Sequence, residues 1–219
     1  ILHPEREDIA RRKIEFVDKW RICQNSNAEG RRGGLAEAMR DADLCVAFSK
    51  PGPGTILPEW VQGMAEDAII FPCANPIPEI WPWEAKEAGA RIVGTGRSDF
   101  PNQTNNSLGF PGIFRGVLDV RATTITDEMA IAAAEELARC AEERGLDEDH
   151  ILPTMDNWEV FPREAAAVGM KAQEQGLARL SIPYEELLSK AKATIRQAQD
   201  MTRFLMEKEL IPPVPAEWS

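Results

Sequence analysis

Three short apolar runs constrain this chain more than any other feature: LCVAFS at 44–49, AIIFPCA at 68–74 and RIVGTG at 91–96. They are rich in β-branched, aliphatic or aromatic residues and do not alternate apolar with polar. A strand with water on one face alternates; one that does not is expected to be covered on both faces, the pattern of a parallel sheet. Segments of helical character precede and separate the runs: LAEAMRDAD at 35–43, PEWVQGMAED at 58–67 and PWEAKEAGA at 82–90. Pro58 and Pro82 sit where a first helical turn accepts proline, and Gly89 marks a stop. The rhythm of helix and strand predicts an α/β sheet with right-handed crossovers.

After residue 108 the strand pattern ends. Helices are predicted at about 110–119, 127–144, 162–175 and 183–209. Thr126 is a candidate cap for the second of these, with Met129, Ala133, Leu137 and Cys140 or Ala141 as its apolar stripe. The last shows Tyr184, Leu187, Leu188, Ala191, Ile195, Ala198 and Leu205 at spacings near three and four. Residues 1–34 read as a peripheral helix and a loop, and the tail IPPVPAEWS as non-helical.

A sheet of three strands is small and leaves apolar edges bare. A doubly wound nucleotide fold has six strands in two halves, the first half carrying a glycine-rich phosphate turn and an acidic ribose ligand. No GxGxxG occurs here. The fold class expected is therefore α/β, the second half of a doubly wound Rossmann-like parallel sheet followed by C-terminal helices. Residues 1–125 would form the partial dinucleotide-binding domain and 126–219 a helical region, with the first half of the domain upstream. The chain begins at Ile1 with Arg, Glu and Asp in its first dozen positions, so it reads as part of something longer, without a secretory leader.

Composition excludes several functions. The 219 residues hold 25 Lys and Arg against 36 Asp and Glu, a net charge of −11. Such a chain repels nucleic acid and anionic membrane, and both are set aside as partners. Cys23, Cys45, Cys73 and Cys140 form no CxxC pair and read as small apolar residues in a reduced, cytoplasmic setting. With only His3 and His150, a His-rich metal site is excluded and a Ser-His-Asp triad disfavoured.

Ligands of open α/β sheets bind beyond the carboxyl ends of the strands. Those ends carry Ser49, Lys50, Pro51, Gly52, Pro53 and Gly54 after the first run, and Asn75, Pro76, Ile77 and Pro78 after the second. Gly96, Arg97, Ser98 and Asp99 follow the third. Glycine permits close backbone approach to a cofactor, and the same residues also make ordinary turns. Asn75 ends a buried strand, and its carboxamide can donate and accept at once. Asn105 and Asn106 enter a small-residue helix, where an amide can hold a carboxylate or simply cap the turn. Gly109, Gly112 and Gly116 predict close packing of that helix on strand or cofactor. Arg97, Arg115 and Arg121 are placed to pair with Asp99 and Asp119 as structural ion pairs.

The run GTGRSDFPNQTNNSLGFPGIFRGVLDVRA at 94–122 resembles the malic enzyme family, in its shorter microbial type. SKPGPG at 49–54, IIFPCANPIPEI at 69–80 and EAKEAGARIVGTGRSD at 84–99 continue the likeness in order, nearly without break over 35–178. The resemblance implies oxidation of L-malate with NAD or NADP and a divalent metal, Mg2+ or Mn2+, then decarboxylation to pyruvate. The family's tyrosine–lysine acid–base pair and its carboxylate metal ligands match no stretch here, and Tyr184 is not a candidate for the former. What carries over is Asn75 at cofactor and substrate, Asn106 with its neighbour Asn105 at the substrate, and Ser49, Lys50, Pro51, Gly52, Gly96 and Arg97 along the cofactor cleft. The resemblance also implies a homodimer, completed by an N-terminal part. Malolactic conversion of malate to lactate, and a non-catalytic nucleotide-binding module, remain as alternatives.

Overall fold

The computed structural model describes residues 1–2, 12 and 14–212; His3 and most of the proline-rich tail lie outside them. Two compact units follow one another, residues 1–104 and 105–219. The division falls before the first long helix of the second unit, whereas the sequence reading placed it at 125. The reason is that this helix packs among the helices that follow it.

The first unit contains helices α1 (Val17–Asn25), α2 (Leu35–Met39), α3 (Pro58–Val61) and α4 (Pro82–Glu87). Between them run β1 (Leu44–Ala47), β2 (Ile69–Pro72) and β3 (Ile92–Val93). The strands make one parallel sheet in the order β1-β2-β3, with Leu44 opposite Ile69 and Ile69 opposite Ile92. Ile70 and Val93 of the sheet, Val61 and Met64 beside α3, and Ile80 and Ala85 around α4 form its core. Pro58 and Pro82 open their helices as expected, because a first-turn N–H has no intrahelical acceptor and proline's lack of one costs nothing.

The helices are shorter than their patterns, and the backbone says why. The Asp41 N–H donates to Gly63 O at 2.8 Å and the Ala65 N–H to Ala42 O at 3.1 Å, so the chain beyond Val61 pairs with the end of α2 instead of extending α3. β1 departs from the expectation of strands covered on both faces. Leu44, Val46 and Phe48 are 51%, 48% and 78% exposed on one side of it, and among the described residues its outer edge has no neighbouring strand.

The second unit begins with one 3₁₀ turn, Asn106–Leu108, and continues with α5 (Phe110–Asp119), α6 (Asp127–Arg144), α7 (Val160–Glu174) and α8 (Tyr184–Glu207). Helix α7 is central and packs on the other three. The Thr126 hydroxyl accepts from the Met129 N–H at 3.3 Å as the expected cap, and Gly145 ends α6 at φ +92.

Three details of the sequence reading change. Glu136, not Leu137, occupies the fully inward position of α6, where Arg163 and Arg139 donate to it. The stripe of α8 is buried only at Leu187 and Ala191; past them Ile195 and Leu205 are half-buried, and Ala198, Met201 and Phe204 are exposed. Gly112 and Gly116 of α5 admit α7, so a helix and not a strand makes the close approach in this unit. A Cβ on Gly112 would stand 2.5 Å from Cβ of Glu164, and one on Gly116 would collide with the Ala165 carbonyl.

Candidate functional site

All three loops at the carboxyl end of the sheet are tied together within the first unit. The loop after β1 closes on itself, the Thr55 hydroxyl donating to Gly52 O at 3.0 Å. Gly52 and Gly54 have φ of +115 and +86, and a Cβ at either would meet nothing within 4 Å. Backbone there is reachable from outside, and the left-handed conformation explains why glycine stands at both positions. This loop docks on the next through the Gly52 N–H to Ile77 O and the Ile56 N–H to Glu79 O, both 3.1 Å. Ser49, Lys50 and Pro51 are exposed at its start.

Asn75 stands just past the central strand. It is exposed, and among the described residues its carboxamide makes no hydrogen bond, so both its donor and its acceptor are available. Gly96, from the loop after β3, lies against that carboxamide. An added Cβ would be 3.2 Å from Asn75 Nδ2 and 3.3 Å from Oδ1, closer than an ordinary contact. Gly96 therefore makes room for the amide of Asn75.

Arg97 is engaged on two sides. Its Nε and Nη2 donate to the two oxygens of Asp99 at 2.8 and 2.6 Å, while Nη1 donates to Pro76 O at 3.0 Å. The guanidinium thereby clamps the third loop onto the second and holds the Asp99 carboxyl below its ordinary range. Arg115 pairs with Asp119 at 2.6 Å in the second unit, as expected. Arg121 takes φ +52 at the end of α5.

The third loop is fixed from beneath. Buried Asn102, at φ +52, donates from Nδ2 to Val93 O at 3.1 Å, and the Thr104 N–H donates to Thr95 O at 2.8 Å. A left-handed backbone at Asn102 suits an asparagine better than most residues. Cys73 contacts the Thr104 hydroxyl at 3.4 Å, and burial pushes its thiol up, so it is not a ready nucleophile.

In the second unit, Asn105 accepts from the Ser107 N–H at 2.9 Å and caps the 3₁₀ turn. Asn106 is exposed, with a carboxamide that makes no hydrogen bond among the described residues.

The sequence reading missed Glu79. It is fully buried, and its carboxyl takes three donors: the Ser49 N–H at 2.7 Å, the Ser49 hydroxyl at 3.0 Å and the Ala74 N–H at 3.0 Å. The signal was a lone acid in PIPEI, between Pro78 and Ile80, both of which are buried. Among the described residues no group of three or more His, Cys, Asp or Glu side chains could hold a metal. None of their helices is long and apolar enough to cross a membrane.

A parallel three-stranded sheet with glycine, amide and serine at its carboxyl ends defines a domain of the Rossmann-like, dinucleotide-binding class. The chain matches the family described as "Malic enzyme, NAD binding domain" over residues 1–173, and it belongs to the malic enzyme family. It is 47% identical over 174 residues to the bifunctional malic/malolactic enzyme of Bacillus subtilis (strain 168), covering 80% of this chain and 42% of that protein. Against the NAD-dependent malic enzyme of Geobacillus stearothermophilus it is 45% identical over 157 residues, 72% of this chain and 32% of that one. The crystal structure of Entamoeba histolytica malic enzyme superposes with a TM-score of 0.94 at 48% identity, covering 99% of this chain and 44% of the other. The chain thus spans less than half the length of these relatives.

Proposed function

We propose that this chain is the cofactor-holding part of an enzyme that oxidises L-malate with NAD or NADP and decarboxylates the product to pyruvate. The observation that carries the reading is Asn75. Its unengaged carboxamide stands just past the central strand, beside an open glycine loop, in a chain of this family. The local residues fit the nicotinamide end of a dinucleotide: the Gly52–Gly54 backbone is reachable, and a side chain at Gly96 would crowd the amide that has to face the ligand. When bound, the dinucleotide accepts the hydride from the alcohol carbon of the acid. Asn75 would orient ring or acid, and Asn106 would donate to an acid oxygen without adding a fixed charge. Asn105, spent on its cap, would support the turn. Ser49, Lys50, Pro51 and Gly52 would line the cofactor, with Gly96 and Arg97 shaping the opposite wall.

The metal proposed for the reaction, Mg2+ or Mn2+, finds no ligand cluster among the described residues. Its ligands, the acid–base pair and the glycine-rich turn are proposed to come from other residues of the enzyme, which would be a cytoplasmic homodimer. A second reading, malolactic conversion, is supported by the name of the Bacillus relative.

The test is malate turnover by the full-length protein, following NAD(P)H, pyruvate and lactate together. NAD(P)H and pyruvate in equal amounts are expected. Lactate without net NAD(P)H would select the second reading, and neither product would remove both. Asn106→Ala is expected to lower kcat/KM for malate at least about tenfold. Unchanged kinetics would take Asn106 out of the site.

A further inference from the structure

Glu79 makes none of its contacts with the surface, and it carries none of the roles proposed above. Its position is nevertheless specific. Oε1 receives both donors of Ser49, and Oε2 receives the Ala74 N–H immediately before Asn75. The Glu79 N–H and C=O belong to the same turn, and the C=O accepts from the Ile56 N–H at the far end of the Ser49 loop. One residue therefore holds the start and the finish of the β1 loop and the last residue before the site amide. Every side-chain contact asks the carboxyl to accept, and among the described residues no cation lies within salt-bridge reach of it. A fully buried carboxyl with three donors fixes geometry: displacing it strands the buried Ala74 N–H without water to replace the bond and releases Ser49 from its part-buried bonds.

We infer that Glu79 is the positioning residue of the site: it sets the spacing between the Ser49–Gly54 loop and Asn75, and so the width of the slot the nicotinamide end would enter. The inference rests on the dinucleotide reading above. Lys50 and Arg97 do not supply this link, since Arg97 joins the second and third loops and leaves the first untouched. Glu79→Gln tests it, since the amide keeps the shape but turns one acceptor into a donor that faces an N–H. Glu79→Asp keeps the carboxyl but shortens the reach, so that it can hold Ser49 or Ala74 and not both.

The readouts are NADH and NADPH dissociation constants by fluorescence titration of the full-length protein, with KM and kcat for malate oxidation. They are taken at a temperature where circular dichroism shows parent and variant equally folded. Glu79→Gln is expected to weaken dinucleotide binding and lower kcat/KM by about tenfold to a hundredfold, with Glu79→Asp between it and the parent. A purely structural role would lower the melting temperature and leave the constants of the folded protein within about twofold, which would overturn the inference. If Glu79→Gln does not fold, Glu79→Asp decides by the same rule. A parent that binds dinucleotide without oxidising malate would sink the malate reading and leave Glu79 to be judged on the dissociation constants. A parent that does both, with unchanged variants, would sink Glu79 alone, and one that binds no dinucleotide would sink both.

Discussion

Glu164 on α7 is fully buried, and neither of its carboxyl oxygens finds a hydrogen-bond partner among the described residues. Burial, with Glu136 nearby as the smaller cause, pushes its pKa from 4.5 up to about 9. The group is therefore neutral in the folded protein at physiological pH and ionised in the unfolded chain. Below about pH 4.5 both states hold the proton. Between there and about 9 the unfolded state releases it and the folded state does not, so stability falls as pH rises. The slope approaches about 1.4 kcal/mol per pH unit for one such group. Glu164→Gln keeps the shape and abolishes the titration. Urea midpoints of this protein at pH 5, 7 and 9 are expected to fall more steeply for the parent than for the variant. Parallel curves would show that Glu164 is ionised or hydrated in the fold. Nothing in REAAAV set this acid apart from a solvated one, because its burial depends on which face α7 turns to α5. The place of Asn75 just beyond β2 was legible because the local pattern fixes where that strand runs; the buried contacts of Glu79 were not, because its partners come from outside its own turn.

Helix α5 carries glycine where helix propensity disfavours it, and its packing partner decides the reason. Gly116 faces the backbone of α7, with Val168 Cβ and Gly169 N at 2.9 and 3.0 Å from the position of an added Cβ. Alanine there gains about 1 kcal/mol in intrinsic helix propensity. It also forces apart two helices whose facing atoms are main chain or a Cβ and cannot rotate away, an overpacking cost of about 1–3 kcal/mol or more. Gly116→Ala is therefore expected to lower the urea midpoint. Gly109→Ala, whose nearest contact would be Ile113 Cδ1 at 3.7 Å, is expected to leave it unchanged or raise it. Equal effects of the two would mean that α5 and α7 do not pack this closely. At this scale the sequence placed the strands and the four long helices within a few residues, since each has its own period and its own Pro or Gly punctuation. It overextended α2 and α3, whose ends are set by hydrogen bonds between Asp41 or Ala42 and the chain beyond Val61, a tertiary preference no local pattern contains. It also mistook the partner of Gly112 and Gly116, because a glycine face announces close approach without saying to what.

At the scale of the whole chain, two properties oppose each other. A net charge of −11 repels one copy from another, while β1 offers Leu44, Val46 and Phe48 on an exposed face next to an unpaired edge among the described residues. The uninterrupted apolar pattern of β1 had implied cover on both faces, and the bare face agrees with a chain that spans under half of its relatives. An apolar strand edge with free N–H and C=O groups is a template for pairing. Charge repulsion between copies is screened by salt, whereas apolar contact is not. The 219-residue chain on its own is therefore expected to self-associate more strongly as salt rises, with a light-scattering mass above 24.4 kDa. Phe48→Lys, at the most exposed of the three positions, is expected to shift it back towards that mass without unfolding it. A chain that stays at one copy from low to high salt would show that the β1 face is covered by residues of this chain itself.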